Sequence, residues 1–508
     1  MSCLAQTCTR SRLILQIASR KGGACRNAVK GLGRCNWSRS LSSEPSGLSE
    51  LPPASGSPQS ALPYLQDHEA TLYVHWPYCE RRCSYCNFNK YVSRSVDHAR
   101  MRKCLVRELE SLLLASGVTT ISSVFVGGGT PSLAEPQTLA AVLEAASRLA
   151  LVPAGAEVSM EANPCSAATQ RLVDFRAAGV NRISLGLQAL SDADLKTLGR
   201  DHTAEEGVQA LATASAVFPG HVSADLMFGR PGQHPDSWEQ ELRALLGSAS
   251  TLGHVSLYQL TLERGTELFA RAARGEPLAL PDADACAEMY NTAREILSQA
   301  GLHQYEVSNF AREGAASVHN QSYWLGKPYI GVGPGAHGRF VARGEGAAER
   351  EARVQTLEPE YWMREVERHG HGTRRRKPLS PPEVLEEVLV MGLRMNRGIT
   401  HERWARFSGD VGLHEALASP EVQRFQDEGL LMLDERGVRA SWEGIAVLDA
   451  MLPDLLLALQ RHRWPLALPQ HLGGQRVGRA QGGGEAGHVC GTAGVGDGTA
   501  GVGDGTTV

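Results

Sequence analysis

From about residue 70 the chain alternates short runs rich in β-branched and aromatic residues with longer amphipathic ones. This alternation constrains the fold more than any other feature of the 508 residues. Residues 71–75, 122–126, 157–161, 182–187, 222–227 and 255–259 read as strands. Residues 97–115, 136–150, 167–178, 236–246 and 282–300 read as helices between them. Strands that alternate with helices form a parallel sheet covered on its faces. Six repeats predict an α/β fold, a partial (β/α)6 TIM-like barrel over residues 70–302. In such a barrel chemistry sits on the loops that leave the C-terminal ends of the strands.

The flanking segments differ in character. Before Glu44 there is no acidic residue, while Arg10, Arg12, Arg20, Lys21, Arg26, Lys30, Arg34 and Arg39 are basic and no long apolar stretch appears. That pattern predicts a mitochondrial transit peptide at 1–43, with a disordered basic tail as the alternative, and hence a mitochondrial, matrix location. Residues 44–69, rich in Ser, Pro and Gly, read as a flexible lead-in. Residues 303–379 are rich in His, Tyr, Trp and Gly and end in a linker that contains the charge run Arg374–Lys377, expected to be solvated. Residues 380–456 are helical, then hairpin-like near Gly429–Ala440, then helical, which predicts a winged-helix-like C-terminal module. Residues 457–508 read as a low-complexity tail. A net charge of -4 gives no reason to invoke nucleic acid, and no apolar run reaches the roughly 18 residues of a transmembrane segment.

Of 11 cysteines, four fall in the presumed presequence. The rest form one tight cluster plus scattered singles, which is not a disulfide framework. The cluster, Cys79, Cys83 and Cys86, has the spacing C-x3-C-x2-C and follows the first strand directly. Iron–sulfur clusters normally take four thiolates. Three would leave one iron of a [4Fe–4S] cluster open to chelate the methionine part of S-adenosylmethionine (SAM). Two alternatives share the residues: a Cys3His zinc site with His75, or a redox pair at Cys83 and Cys86. The ends of the following strands favour a ligand site. Gly127–Pro131 ends the second, Glu161 the third and Gln188 the fourth, while Asp225 lies in the fifth. Polar residues at successive strand ends line one face of a barrel.

Together these motifs resemble the radical SAM proteins related to oxygen-independent coproporphyrinogen III oxidase, and among them the HemW-type haem chaperones. The resemblance spans roughly 70–455. It implies cluster ligation by Cys79, Cys83 and Cys86. It implies SAM contacts at Tyr73, Tyr85, Gly128, Gly129, Thr130, Glu161, Gln188, Arg200 and Asp225. The oxidases carry a further Cys two residues after the third, where this chain has Phe88, as the chaperone group commonly does. His319, Tyr323 and Trp324 match that group's H-N-x-x-Y-W haem motif, although a hydrogen-bonded loop histidine is the plain alternative for His319. The resemblance therefore implies a haem chaperone serving haem-requiring mitochondrial proteins, respiratory-chain subunits among the candidates. It allows a homodimer. A coproporphyrinogen oxidase is the competing expectation.

Overall fold

Six strands lie close to the expected positions: β1 Glu69–Trp76, β2 Thr120–Gly128, β3 Glu157–Ala162, β4 Arg182–Gln188, β5 Val222–Phe228 and β6 His254–Gln259. This computed structural model describes residues 62–462 apart from 94, 250 and 344–347. The expected transit peptide, most of the lead-in and residues 463–508 lie outside the described residues. Helices α1 His98–Ser116, α2 Pro136–Leu149 and α3 Thr169–Ala177 connect the first strands. Asp97 caps α1 by accepting from the Arg100 amide at 2.9 Å, and Gly117 ends it in the left-handed conformation. Two helices that weak periodicity hides, α4 Asp192–Thr197 and α5 Ala204–Val217, join β4 to β5. Then come α6 Pro235–Ser248 and α7 Ala283–Gln299.

All six strands are parallel neighbours in chain order. After β7 His303–Glu306, β8 Asn309–Ala311 and the short helix α8 Val318–Trp324, the chain adds a seventh parallel strand. This is β9 Tyr329–Val332, which pairs with the free side of β1. Four residues with no polar alternation give too little signal to predict it. Antiparallel strands β10 His337–Ala342, β11 Glu349–Gln355 and β12 Thr373–Pro378 extend that edge. The order is β12-β11-β10-β9-β1-β2-β3-β4-β5-β6-β8-β7, and the two end strands do not pair among the described residues. The barrel is therefore partial. The charge run Arg374–Lys377 is not a linker but most of edge strand β12. Its arginines are exposed, and Arg376 pairs with buried Glu351 of β11. Charge marks the edge of a sheet as readily as a loop.

Period-two alternation divides the strands. Leu72, Val74, Val124, Ile183, Leu185, Ala224 and Val255 pack into the apolar layer beneath the helices. The opposite residues, among them Ser159, Glu161, Ser184, Ser223, Asp225 and Ser256, line the barrel interior. A polar interior departs from the packed apolar barrel centre and marks the inside as a place for ligands.

After α9 Pro359–His369, the C-terminal module opens with α10 Pro381–Leu393 and α11 His401–Ser408. Its small sheet orders β13 Ile399–Thr400, β15 Gly437–Ala440 and β14 Leu431–Asp434. The last helix, α12, spans Leu448–Arg461, so residues 457–461 belong to it and not to the tail. No described helix is long and apolar enough to cross a membrane.

Candidate functional site

The cysteine loop leaves β1 at the open end of the barrel. A two-residue parallel pairing, Tyr78–Cys79 with Tyr91–Val92, closes it. Its middle is tied down by Ser84, whose amide donates to Leu198 O at 3.0 Å and whose hydroxyl donates to Thr197 O at 2.9 Å. The three thiols are free of disulfides. Two receive polar donors: Thr130 Oγ1 lies 3.3 Å from Cys79 Sγ, and Arg200 Nη1 lies 3.5 Å from Cys83 Sγ. Burial pushes the Cys79 thiol up to about 11 and raises that of Cys86. Iron bound here would oppose this effect, because a metal drives its coordinating thiols to thiolates.

His75 is not free to serve as a fourth ligand. Its Nδ1 bonds the Tyr73 hydroxyl at 2.9 Å and its Nε2 bonds Asn89 O at 2.8 Å. Cys79 lines the same cavity as Cys83 and Cys86, and a redox pair has no use for a third thiol there. Three thiols, two of them with a donor aimed at the sulfur, suit a cluster with one iron left open.

The thiols share a cavity of about 190 Å³ with Tyr85, Gly128, Gly129, Thr130, Glu161, Gln188, Arg200 and Asp225. Gly128 has φ +117° beneath the His75 ring, and a Cβ on Gly129 would lie 2.7 Å from Tyr78 O. Both glycines let the β2 loop lie against the cysteine loop. Gln188 holds φ +70°, a conformation rare outside glycine, at the end of β4. Such strain gathers at ligand sites. Glu161 accepts the Gly128 amide at 3.0 Å, and burial pushes its carboxyl up to about 7. Burial also raises Asp225, against the pull of Ser184, Ser256 and Ser223 hydroxyls. Arg200 spans the wall, donating to Asn163 Oδ1 at 3.0 Å and to Gly186 O at 2.8 Å.

Tyr73 does not line this cavity; it packs against Phe125 beneath it. The wall residues missed from the sequence include Asn163, Met227, Tyr258 and Gln259. Asn163 stands two places after Glu161. The other three lie near the ends of β5 and β6, where the strand-end rule applies equally.

The haem-motif residues are elsewhere. Tyr323 and Trp324 line a smaller cavity of about 50 Å³ deeper in the barrel. Glu161, Ser184, Asp225 and Tyr258 border both cavities. His319 is completely buried, with Nδ1 on Ser123 Oγ at 2.9 Å and Nε2 on the Tyr323 hydroxyl at 2.8 Å. Burial holds its imidazole well below the usual range. In this conformation neither ring nitrogen faces a ligand. A hydrogen-bonded chain crosses the deep cavity: Asp225 to Ser223 at 3.0 Å, Ser223 to His254 Nδ1 at 2.8 Å, and His254 Nε2 to the Tyr305 hydroxyl at 2.9 Å.

Similarity to known proteins agrees with this geometry. The profile of the radical SAM superfamily matches residues 73–245, and that of the HemN C-terminal domain matches 379–447. The mitochondrial radical S-adenosyl methionine domain-containing protein 1 of Bos taurus is 56% identical over 82% of this chain and 94% of its own length. The heme chaperone HemW of Bacillus subtilis is 30% identical over 74% of this chain and 96% of its own length. The solved coproporphyrinogen III oxidase HemN of Escherichia coli superposes with a TM-score of 0.63 at 20% identity, over 79% of this chain and 93% of the other. That likeness establishes the shared fold. The chain thus belongs to the HemW-like family of the radical SAM superfamily, alongside the mitochondrial radical SAM domain-containing proteins.

Proposed function

We propose that this protein is a mitochondrial haem chaperone carrying a SAM-binding [4Fe–4S] cluster, and that it passes haem to haem-requiring proteins of the matrix or respiratory chain. The observation that carries the reading is Phe88. It lines the cluster cavity at the place where the oxidase pattern has a further cysteine. Relatives named heme chaperones and mitochondrial proteins support the same direction.

Cys79, Cys83 and Cys86 would hold the cluster, which when bound would supply a low-potential electron for SAM chemistry. Thr130 and Arg200 donate toward two of the sulfurs and stabilise negative charge there. Glu161 and Asp225 offer acceptors to cofactor hydroxyl or amine groups, and Gly128 and Gly129 admit the cofactor close to the backbone. Haem is assigned to the segment of His319, Tyr323 and Trp324. Because both His319 nitrogens are bonded, one of these hydrogen bonds must break before iron can be ligated there.

The test incubates the anaerobically reconstituted protein with coproporphyrinogen III, SAM and reductant, and in parallel titrates it with haem. The chaperone reading expects stoichiometric haem binding and no protoporphyrinogen. Formation of protoporphyrinogen would establish the oxidase instead.

A further inference from the structure

The rim of the cofactor cavity carries a second group of metal-ligating side chains. Cys165 lies in the short turn Pro164–Ser166 after β3, while Asp201 and His202 lie between α4 and α5. One donor atom from each lies within 4.8 Å of the other two. The Cys165 thiol donates to Asp201 Oδ1 at 3.1 Å.

His202 supplies an independent observation. It is only 4% exposed, and its Nε2 contacts Leu187 O at 3.2 Å. A carbonyl only accepts, so Nε2 carries the proton and Nδ1 is a bare lone pair. That Nδ1 is buried and has no hydrogen-bond partner. A buried acceptor left unsatisfied is unfavourable and calls for an occupant. An imidazole fixed by an N–H to carbonyl bond on one side, with its other nitrogen open, is the usual state of a metal-ligating histidine.

We propose that Cys165, Asp201 and His202 form a Zn²⁺ site on the rim of the cofactor cavity. One thiolate, one imidazole and one carboxylate match the ligand preferences of zinc. Bonds of about 2.0–2.3 Å place tetrahedral donors roughly 3.3–3.8 Å apart, so donors now within 4.8 Å of one another need to move by about 1 Å at most. Binding releases the thiol proton to solvent. The resulting thiolate and the Asp201 carboxylate then balance the ion's two charges. Cys165 is exposed, so water has access to complete the coordination. The ligands come from two loops, the same two that carry Asn163 and Arg200, whose side chains bond each other at 3.0 Å. Zinc here would fix those loops together and hold Arg200 in place beside Cys83.

The experiment uses the full chain with its cluster reconstituted anaerobically, so that the cluster thiols are occupied. The protein is dialysed against buffer containing Zn²⁺ and then against zinc-free buffer, and its metals are counted. The expected result is about one zinc per chain beside about four irons in the parent protein. Cys165→Ser should lose at least tenfold in zinc affinity and keep its iron. Zinc-edge X-ray absorption should show one sulfur neighbour and an imidazole. Equal zinc in the parent and Cys165→Ser would overturn the site. So would a shell of three sulfurs, which would place the zinc on the cluster loop. Cys165 is exposed, so its serine variant keeps the test valid even if a His202→Gln variant fails to fold.

Discussion

Gly129 is held by what surrounds it. A Cβ there would meet Tyr78 O at 2.7 Å and the Pro77 carbonyl carbon at 2.8 Å, both backbone atoms that cannot swing away. Gly129→Ala should cost about 1–3 kcal/mol in urea unfolding and lower the iron bound per chain, because the cysteine loop is pushed outward. Glu161 sets a pH dependence. Its carboxyl is raised from 4.5 to about 7 in the folded chain, so the native state binds the proton more tightly than the unfolded state does. Stability of the cluster-free protein should therefore be highest below pH 4.5 as far as this residue goes. It should fall as pH rises to about 7, by about 3 kcal/mol at most. Glu161→Gln should flatten that part of the stability–pH curve. Tyr323 occupies Nε2 of His319. Tyr323→Phe should cost about 1 kcal/mol in stability. If His319 is the haem ligand, the variant should also bind haem more tightly, since the nitrogen is freed. Unchanged or weaker binding would speak against His319.

Among the elements, α1 is fastened by one buried carboxylate. Glu108 accepts from the amides of Gly333 and Gly372, both at 2.7 Å, and from Trp362 Nε1 at 3.0 Å. It thereby ties α1 to the turn after β9 and to the segment between α9 and β12. Glu108→Gln would point an NH2 at groups that only donate. It should lower stability by about 2–3 kcal/mol, read as a fall in Tm. Helix α8 depends on the C-terminal module in a similar way. Arg403 of α11 donates to Leu325 O at 3.1 Å and to Trp324 O, satisfying carbonyls at the end of α8. Arg403→Met leaves those carbonyls bare. It should loosen α8 selectively, seen as faster amide hydrogen exchange across Val318–Trp324 than across β1.

On the scale of the whole molecule, module and barrel are joined by buried polar contacts. Arg394 pairs with Glu306 of β7 at 3.4 Å, and its guanidinium stacks 4.7 Å from the Trp324 ring. Both charges are almost fully enclosed. Removing one partner of a buried pair typically costs 3–5 kcal/mol, which leads us to expect that Glu306→Ala destabilises both parts together in a single unfolding transition. Independent melting of the two would refute that coupling. The sequence by itself determined the six parallel strands and most connecting helices, because period-two and helical patterns are local. It also placed the three thiols, the glycine turn and the strand-end residues Glu161 and Gln188 in one site, since successive strand ends of such a barrel converge. The tertiary structure alone decided the rest. Strand β9 is too short to carry a pattern and exists because β1 offers it an edge. The arginine run became β12 because β11 pairs with it. His319 lies deep inside the barrel, bonded on both sides, because α8 folds back across β2 and β3. Cys165 and His202, 37 positions apart in sequence, meet only because neighbouring βα loops converge at the same rim. Patterns along a chain report which face a residue presents; which distant residue meets it there is set by long-range packing.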